Sequence, residues 1–258
     1  MKNKMGIIRI GISGIVVPGT KQSFPVAFQQ KSRLHYYSTL FNTIEINSSF
    51  YKVPMASTFA KWSQDVGDNF KLTIKLWREI THVKELKFDL DGIDHFMKAA
   101  DNIGDKKGCM LIQFPGKISF EYYSQLEEIL RRVSENDPFN QWRKAVEFRS
   151  AGWYVSETFE LLDEYNASVV LHDIPKGKNN QVNKSANFIY IRFHGPEGNY
   201  RGSYSDEQLR DISFTIKAWV KQGKDVYAYF NNTMGSAFEN AITLQGLTTP
   251  GGFIGRNK

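Results

Sequence analysis

The chain has 258 residues, 41% hydrophobic and 14% aromatic, and its 33 Lys and Arg against 27 Asp and Glu give a formal charge of +6. These values exclude an intramolecular disulfide, because Cys109 is the single cysteine, and a membrane span, because no apolar run approaches the roughly 18–20 residues that cross a bilayer. The charge admits acidic partners without selecting one.

The opening MKNKMGIIRIGIS lacks a long apolar secretory core, so a cytoplasmic protein with one domain over residues 1–258 is expected. Residues 7–12 form the first of eight short apolar runs and end at Ser13. A less regular helix over 32–40 leads into the second run, 43–46, which closes on Glu45 and Asn47. The third, 71–75, ends at Lys75; a helix over 90–103 precedes the fourth, 108–113, which ends at Gln113. Residues 120–133 place Tyr122, Leu126, Ile129, Leu130 and Val133 on one helical face, with Ser119 as candidate N-cap. The fifth run, 144–147, closes on Glu147 and Arg149, and a short helix over 157–165 follows Ser156.

The sixth run, 168–171, ends at His172 and Asp173, and the connection IPKGKNNQVNKSAN after it has the composition of an irregular loop. The seventh, 188–193, carries Arg192 and His194; then Ser205 and Gln208 form a capping-box pattern opening a helix over 206–221. The eighth, 225–230, contains Tyr229 and ends at Asn231 and Asn232. The glycine-rich GLTTPGGFIGRNK is a tail or a barrel-closing segment. Strands followed by helices in this rhythm predict an α/β fold, a (β/α)8 TIM barrel with an irregular connection after strand six, whose C-terminal rim carries the chemistry.

Side chains two apart on a strand share a face. Glu45 with Asn47, Thr73 with Lys75, Glu147 with Arg149, and Arg192 with His194 therefore climb their strands in pairs. Each pair alone is as well explained by an ion-paired plug in the barrel mouth. A ring of them on six or seven strands is not, because buried charge is costly. His172 has the opposite parity to Asp173, and Asp173 is expected to line the site while His172 packs.

The segments FNTIEINSSFYKVP, KLTIKLWREITH, LIQFP, AVEFRSAGW, IYIRFHG and VYAYFNN, in that order and spacing, closely resemble the bacterial DUF72 (YecE-like) family, over nearly the whole chain. The resemblance implies a TIM barrel and no established activity. It marks Glu45, Asn47, Ser49, Phe50 and Tyr51; Lys75, Thr81 and His82; Gln113 and Pro115; Glu147, Arg149 and Trp153; Asp173, Arg192, His194 and Gly195; and Tyr229, Asn231 and Asn232. At the first motif the family's Gly-Trp-Ser-Tyr-like stretch reads GISGIVVPGT here, so Ser13 and Gly14 fit and Ile15 replaces an aromatic.

On these residues the sequence supports an enzyme acting on an anionic, phosphate-containing substrate. Its most concrete form is phosphodiester or phosphate-ester hydrolysis: Glu45, Glu147, Asp173 and His194 are the catalytic candidates that position or activate water, alone or through a divalent metal. Lys75, Arg149 and Arg192 would hold the anion, with Lys176, Lys178 and Lys184 above strand six. Asn47, Gln113, Asn231 and Asn232 would orient oxygens, and Tyr51, Trp77, Trp153, Tyr200, Tyr204 and Tyr229, in or near top-face connections, would stack on the ligand. No H-E-x-x-H, Cys/His cluster, G-x-S-x-G, P-loop or dinucleotide motif is present. Lys75 stands where barrel lysines form Schiff bases, but Glu45 and Glu147 are expected to hold it charged. The rival readings are a non-catalytic protein binding nucleic acid or an acidic metabolite, and a carbohydrate-active barrel using Glu45 and Glu147 as paired carboxylates.

Overall fold

The computed structural model describes residues 4–249. Eight parallel strands, β1 (Ile8–Ile12), β2 (Thr43–Ile46), β3 (Lys71–Lys75), β4 (Lys107–Phe114), β5 (Arg143–Phe148), β6 (Ala167–His172), β7 (Phe188–Phe193) and β8 (Asp225–Phe230), pair in the order β1-β8-β7-β6-β5-β4-β3-β2. Every expected strand is present, and β4, β5 and β6 gain a residue at each end. Phe114 and Phe148 pair across β4 and β5, and their rings stack 5.9 Å apart outside the sheet.

The alternation along the strands separates two apolar sets. Ile10, Ile44, Leu72, Ile74, Met110, Ile112, Val146, Val169, Ile191 and Phe230 face outward into the layer beneath the helices. Cys109, Leu111, Ala145, Val170, Phe188, Tyr190, Tyr227 and Tyr229 form a separate buried cluster, the filling of the barrel. Both faces being covered, the strands read as nearly continuous apolar runs.

The helices are α1 (Arg33–Leu40), α2 (Ser48–Tyr51), α3 (Ala56–Gln64), α4 (Arg78–Thr81), α5 (Leu90–Ala100), α6 (Tyr123–Glu135), α7 (Ser156–Glu164), α8 (Asp206–Lys221) and α9 (Ala237–Thr248). Helix α6 buries Leu126, Ile129, Leu130 and Val133 as its spacing predicts. Its first turn, Phe120–Tyr122, is a 3-10 turn, and the Ser119 hydroxyl turns to Glu121 instead of capping. Ser205 and Gln208 make the expected capping box, with Gln208 N 3.2 Å from Ser205 Oγ and Ser205 N 2.8 Å from Gln208 Oε1. Residues 246–248 finish α9, so GLT is helix; the rest of the glycine-rich segment from 250 onward lies outside the described residues. Among the described residues no helix is long and apolar enough to cross a membrane.

Two places depart from regular barrel construction. After β6 there is only the turn Pro175–Gly177; the chain then runs back along β6, with Asn179 bridged antiparallel to His172 and Asn183 spanning Val169 N and Ala167 O. With no helix there, a cavity of about 400 Å³ remains outside the sheet among Leu171, Ile191, Phe193, Ile212 and Trp219. The other departure is the closure between β1 and β2, where one bridge, Ser13 to Glu45, stands in for a ladder. Side chains do the rest. The Tyr37 hydroxyl accepts from Ile12 N (2.8 Å) and donates to Thr43 O (3.1 Å), and Asn42 accepts from Ile10 N and donates to Ile8 O. Gly11 is required at this seam, since a Cβ there would lie 2.3 Å from Thr43 O.

Candidate active site

The mouth is built around one guanidinium. Arg192, on β7, donates from Nε (2.9 Å) and Nη2 (2.7 Å) to the two oxygens of Glu45 on β2, and from Nη1 (2.7 Å) to Glu147 Oε2 on β5. Glu45 and Glu147 are fully buried and Arg192 is 2% exposed. Ser13 Oγ and the Tyr190 hydroxyl, each at 2.5 Å, and Asn47 Nδ2 at 3.4 Å also donate to Glu45, filling the roughly four acceptor positions of a carboxylate. Burial alone would raise both carboxyls. The guanidiniums outweigh it: Arg192 lowers Glu45, and Arg149 with Arg192 hold Glu147 well below the usual carboxylate range.

Arg149, one step higher on the inward side of β5, donates from Nε to Glu147, from Nη1 to the Tyr200 hydroxyl (3.2 Å) and from Nη2 to His194 Nε2 (3.1 Å). Arg192 Nη1 also points at His194 Nε2, at 3.4 Å. Because an arginine can only donate, Nε2 is the acceptor, and the ring proton is assigned to Nδ1, facing Asp173 Oδ1 at 3.3 Å. Burial pushes the imidazolium down and Arg192 adds to it, so that, against the pull of Asp173, the His194 pKa falls to about 4. His194 is therefore neutral at pH 7. Asp173 in turn accepts from His194 N (2.8 Å) and from the Tyr204 hydroxyl, which itself accepts from Gly195 N (2.7 Å). Its carboxylate fixes the exit of β7.

Lys75 is placed differently. Ser49 Oγ accepts from Lys75 N (3.2 Å) and donates to Lys75 O (2.8 Å), tying α2 to the end of β3 and setting the Phe50 ring 3.9 Å from the ammonium. Nζ donates to Gln113 Oε1 at 2.8 Å, and Lys75 is 8% exposed. Among the described residues no carboxylate lies within ion-pair distance of it, because Glu45 and Glu147 are engaged by arginines. Burial lowers its pKa and Arg192 lowers it further; Glu147 and Glu45 pull the other way, and the outcome is about 8. Lys75 thus stays mostly protonated at pH 7, as expected beside the two carboxylates, but it gives up its proton far more readily than an ordinary lysine. His82 lies edge-on to the same Phe50 ring, centroids 4.7 Å apart, and burial, then Lys75, lowers its pKa to about 4.

The mouth brings together Glu45, Asn47, Lys75, Gln113, Glu147, Arg149, Arg192 and His194, with Asp173 at its margin. Three expected ligand-binding residues lie elsewhere. Trp153 is fully buried, stacked 4.6 Å from Phe148 with Nε1 donating to Ile118 O at 2.8 Å, so it packs outside the sheet against Phe114, Phe148 and Phe120. Tyr229 is the floor: its hydroxyl sits 2.7 Å from both Thr43 Oγ1 and Thr73 Oγ1, a layer below the carboxylates. Asn232 is buried, its amide donating to Gly202 O and Asn240 Oδ1, each 3.0 Å, to hold the following turn. Asn231 stays at the rim, half-buried, its backbone N–H on Phe193 O at 2.7 Å. Of the loop lysines only Lys176 is near the rim; Lys178 borders the outer cavity, and Lys184 follows Asn183 at the opposite end of β6.

His172 shares the inward side of Val170, yet its Nε2 lies 2.8 Å from Phe148 O and its Nδ1 accepts from Ile174 N, a packing role as expected. The sequence reading missed Tyr190, and it marked Tyr200 for stacking without its hydrogen bond to Arg149. Tyr190 stands two residues before Arg192 on the same face and was findable by parity; Tyr200 comes from a loop with φ +68, which no periodicity signals. A divalent metal does not suit this donor set. Among the described residues no three His, Cys, Asp or Glu are grouped for one, and the lone pairs of Glu45 and of His194 Nε2 are taken by guanidinium N–H groups.

Several known proteins are similar to this chain. UPF0759 protein YunF from Bacillus subtilis (strain 168) is 25% identical over 268 residues, covering 89% of this chain and 90% of YunF. A DUF72 family protein from Enterococcus faecalis V583 superimposes with a TM-score of 0.77 at 21% identity, over 94% of this chain and 95% of that one. Another from Thermotoga maritima MSB8 gives a TM-score of 0.71 at 24% identity, over 93% of this chain and 98% of that one. The family model described as "Protein of unknown function DUF72" matches residues 9–252, which agrees with the six motifs and the barrel, and the chain belongs to that family.

Proposed function

We propose that the mouth of the barrel receives the anionic group of a small, phosphate-bearing substrate, and that the protein is an enzyme acting on it. The observation that carries this reading is Lys75, an ammonium at the mouth that no carboxylate neutralises, with Arg149 nearby and 16% of its side chain exposed. Lys75 and Arg149 bind, while Arg192, Glu45 and Glu147 hold the array rigid. Glu45 and Glu147 are poor general bases, since a base works best with a pKa near the operating pH and theirs are depressed. The carboxylates therefore position the cations and do not activate water, and the part of the sequence reading that we keep is the binding of an anion by Lys75 and Arg149.

The lysines of the β6–β7 segment do not prolong the mouth into a basic track, which favours a small ligand over nucleic acid. The test is calorimetric titration with inorganic phosphate and small phosphate monoesters. Lys75→Met should weaken binding by about tenfold or more, as expected for one charge-assisted contact, and Arg149→Lys by less. Affinity should change little between low and moderate salt. Equal binding by wild type and Lys75→Met, or a steep salt dependence with oligonucleotides, would overturn the reading.

A further inference from the structure

Lys75 has the position and surroundings of a reactive amine. It ends a barrel strand on the inward side, is 8% exposed, has its backbone clamped on both sides by Ser49, and has Nζ fixed between the Phe50 face and Gln113 Oε1. An ammonium held only for structure would be expected to meet a carboxylate. Here the two nearest are spent on Arg192 and Arg149, and among the described residues none is left for Lys75.

We propose that Lys75 is the nucleophile of this mouth and forms an imine with the carbonyl carbon of a small substrate whose phosphate lies against Arg149. The inference rests on the mouth being an anion receptor. The amine lone pair attacks the carbonyl carbon, the C–N bond forms, and the C–O π pair moves to oxygen, which takes a proton. The hydroxyl then leaves with a second proton as water while the nitrogen lone pair forms the C=N bond. Ammonium plus carbonyl gives protonated imine plus water; two of the three ammonium hydrogens leave with the oxygen, and no oxidant or reductant is needed. The positive charge stays on the same nitrogen, over the Phe50 face, so the site has no new charge to accommodate.

The groups facing Lys75 decide how much amine is present. Glu45 from β2, Glu147 from β5 and the Phe50 ring favour the ammonium; burial, Arg192 from β7 and Arg149 from β5 favour the amine, and His82 beyond β3 is neutral above pH 5. With a pKa of about 8, about a quarter of Lys75 is unprotonated at pH 7.5, on the order of two hundred times the fraction of an ordinary lysine.

The experiment is borohydride trapping on the wild-type protein with dihydroxyacetone phosphate and with dihydroxyacetone, read by intact mass and peptide mapping. The expected result is a reduced adduct on Lys75 at least tenfold above that on Lys176 or Lys178, formed with the phosphate ketone and much less with the neutral one, with a trapping rate that rises through about pH 8. Lys75→Arg should lose the adduct while keeping its melting temperature. Adducts spread evenly over exposed lysines, with Lys75 not preferred, would overturn the inference; since the map is made on wild type, no variant has to fold. An adduct on Lys75 with both ketones equally would keep the nucleophile and overturn the anion receptor. Phosphate binding lost in Lys75→Met, with no adduct in wild type, would do the reverse.

Discussion

Both ends of the barrel lumen carry clustered cations, and the two ends use them in opposite ways. At the N-terminal end Arg9 donates to Asn42 O (3.2 Å) and Asn69 O (2.8 Å), and Lys71 to Asp105 O (2.5 Å), so these cations cap main-chain carbonyls and fasten loops. Arg143 pairs there with Asp225, side chains 38% and 18% exposed, over the Tyr227 and Phe188 rings. At the C-terminal end the cations meet side chains, in a dry network with one ammonium left over. Charge at the end of a strand is therefore no mark of function by itself; what distinguishes the mouth is that its ion pairs are almost wholly buried and share one guanidinium, whereas the N-terminal pair is half-exposed and its neighbours serve main-chain carbonyls.

The strongest way to break this comparison is to remove one arginine from each end. Arg192→Met should leave Glu45 and Glu147 buried without their shared partner and cost about 3–5 kcal/mol in chemical denaturation, whereas Arg143→Met, losing a half-exposed pair, should cost about 0–1 kcal/mol. Glu45→Gln placed on Arg192→Met should recover part of the loss, because the orphaned charge is what destabilises. Equal costs at the two ends would mean that the mouth network is no more coupled than a surface pair.

Acid should act on the C-terminal end first. His194 and His82 have pKa values lowered to about 4 in the folded protein, so the unfolded chain binds more protons between about pH 6.5 and 4. Their contribution is fully present above pH 6.5 and is lost as pH falls toward 4; below that, the depressed Glu45 and Glu147 extend the loss. For the buried His194 this amounts to roughly 2–3 kcal/mol, and less for the half-buried His82. Denaturation midpoints measured across that range should flatten in His194→Asn, and an unchanged slope would remove the neutral-imidazole assignment.

How much of this was legible follows from what the sequence can encode. The strands were, because both faces of each are buried and alternation with short polar ends survives in one dimension. The missing helix after β6 was legible too, since its segment has no apolar period. Parity also placed Glu45, Glu147, Arg149, Arg192 and His194 on one inward ring. Their pairing was not legible: Arg192 reaches Glu45 across the barrel, 147 residues away in sequence, and no local pattern says which cation takes which carboxylate. Trp153 and Tyr229 were misplaced for a related reason. An aromatic beside a rim motif packs outward against Phe148 and Ile118 or downward onto Thr43 and Thr73 according to strand depth, which only the assembled barrel sets.

The β1–β2 seam offers a smaller test of the same contrast, since there side chains replace a ladder without forming a site. Tyr37→Phe should leave Ile12 N and Thr43 O without the bridging hydroxyl and cost about 1–2 kcal/mol, with phosphate binding at the mouth unchanged. Loss of binding along with stability would show that closure of the barrel and order at the mouth are one property.

The expected change in stability at Lys75 is small and opposite in sign to the others, and that is its significance. An ammonium buried without a carboxylate gains only what Gln113 and the Phe50 face return, so exchanging it for the similar length of methionine should alter the unfolding free energy by less than about 1 kcal/mol, in the stabilising direction. Arg192 is the opposite case, costly to remove because the fold depends on it. If Lys75→Met leaves the melting curve where it was or higher while abolishing phosphate binding, then Lys75 is maintained against the interest of stability, as a binding or reacting group would be. If the variant is instead destabilised by several kcal/mol, Lys75 belongs with Arg192 among the groups that hold the barrel mouth together, and the two ends of the lumen differ in degree alone.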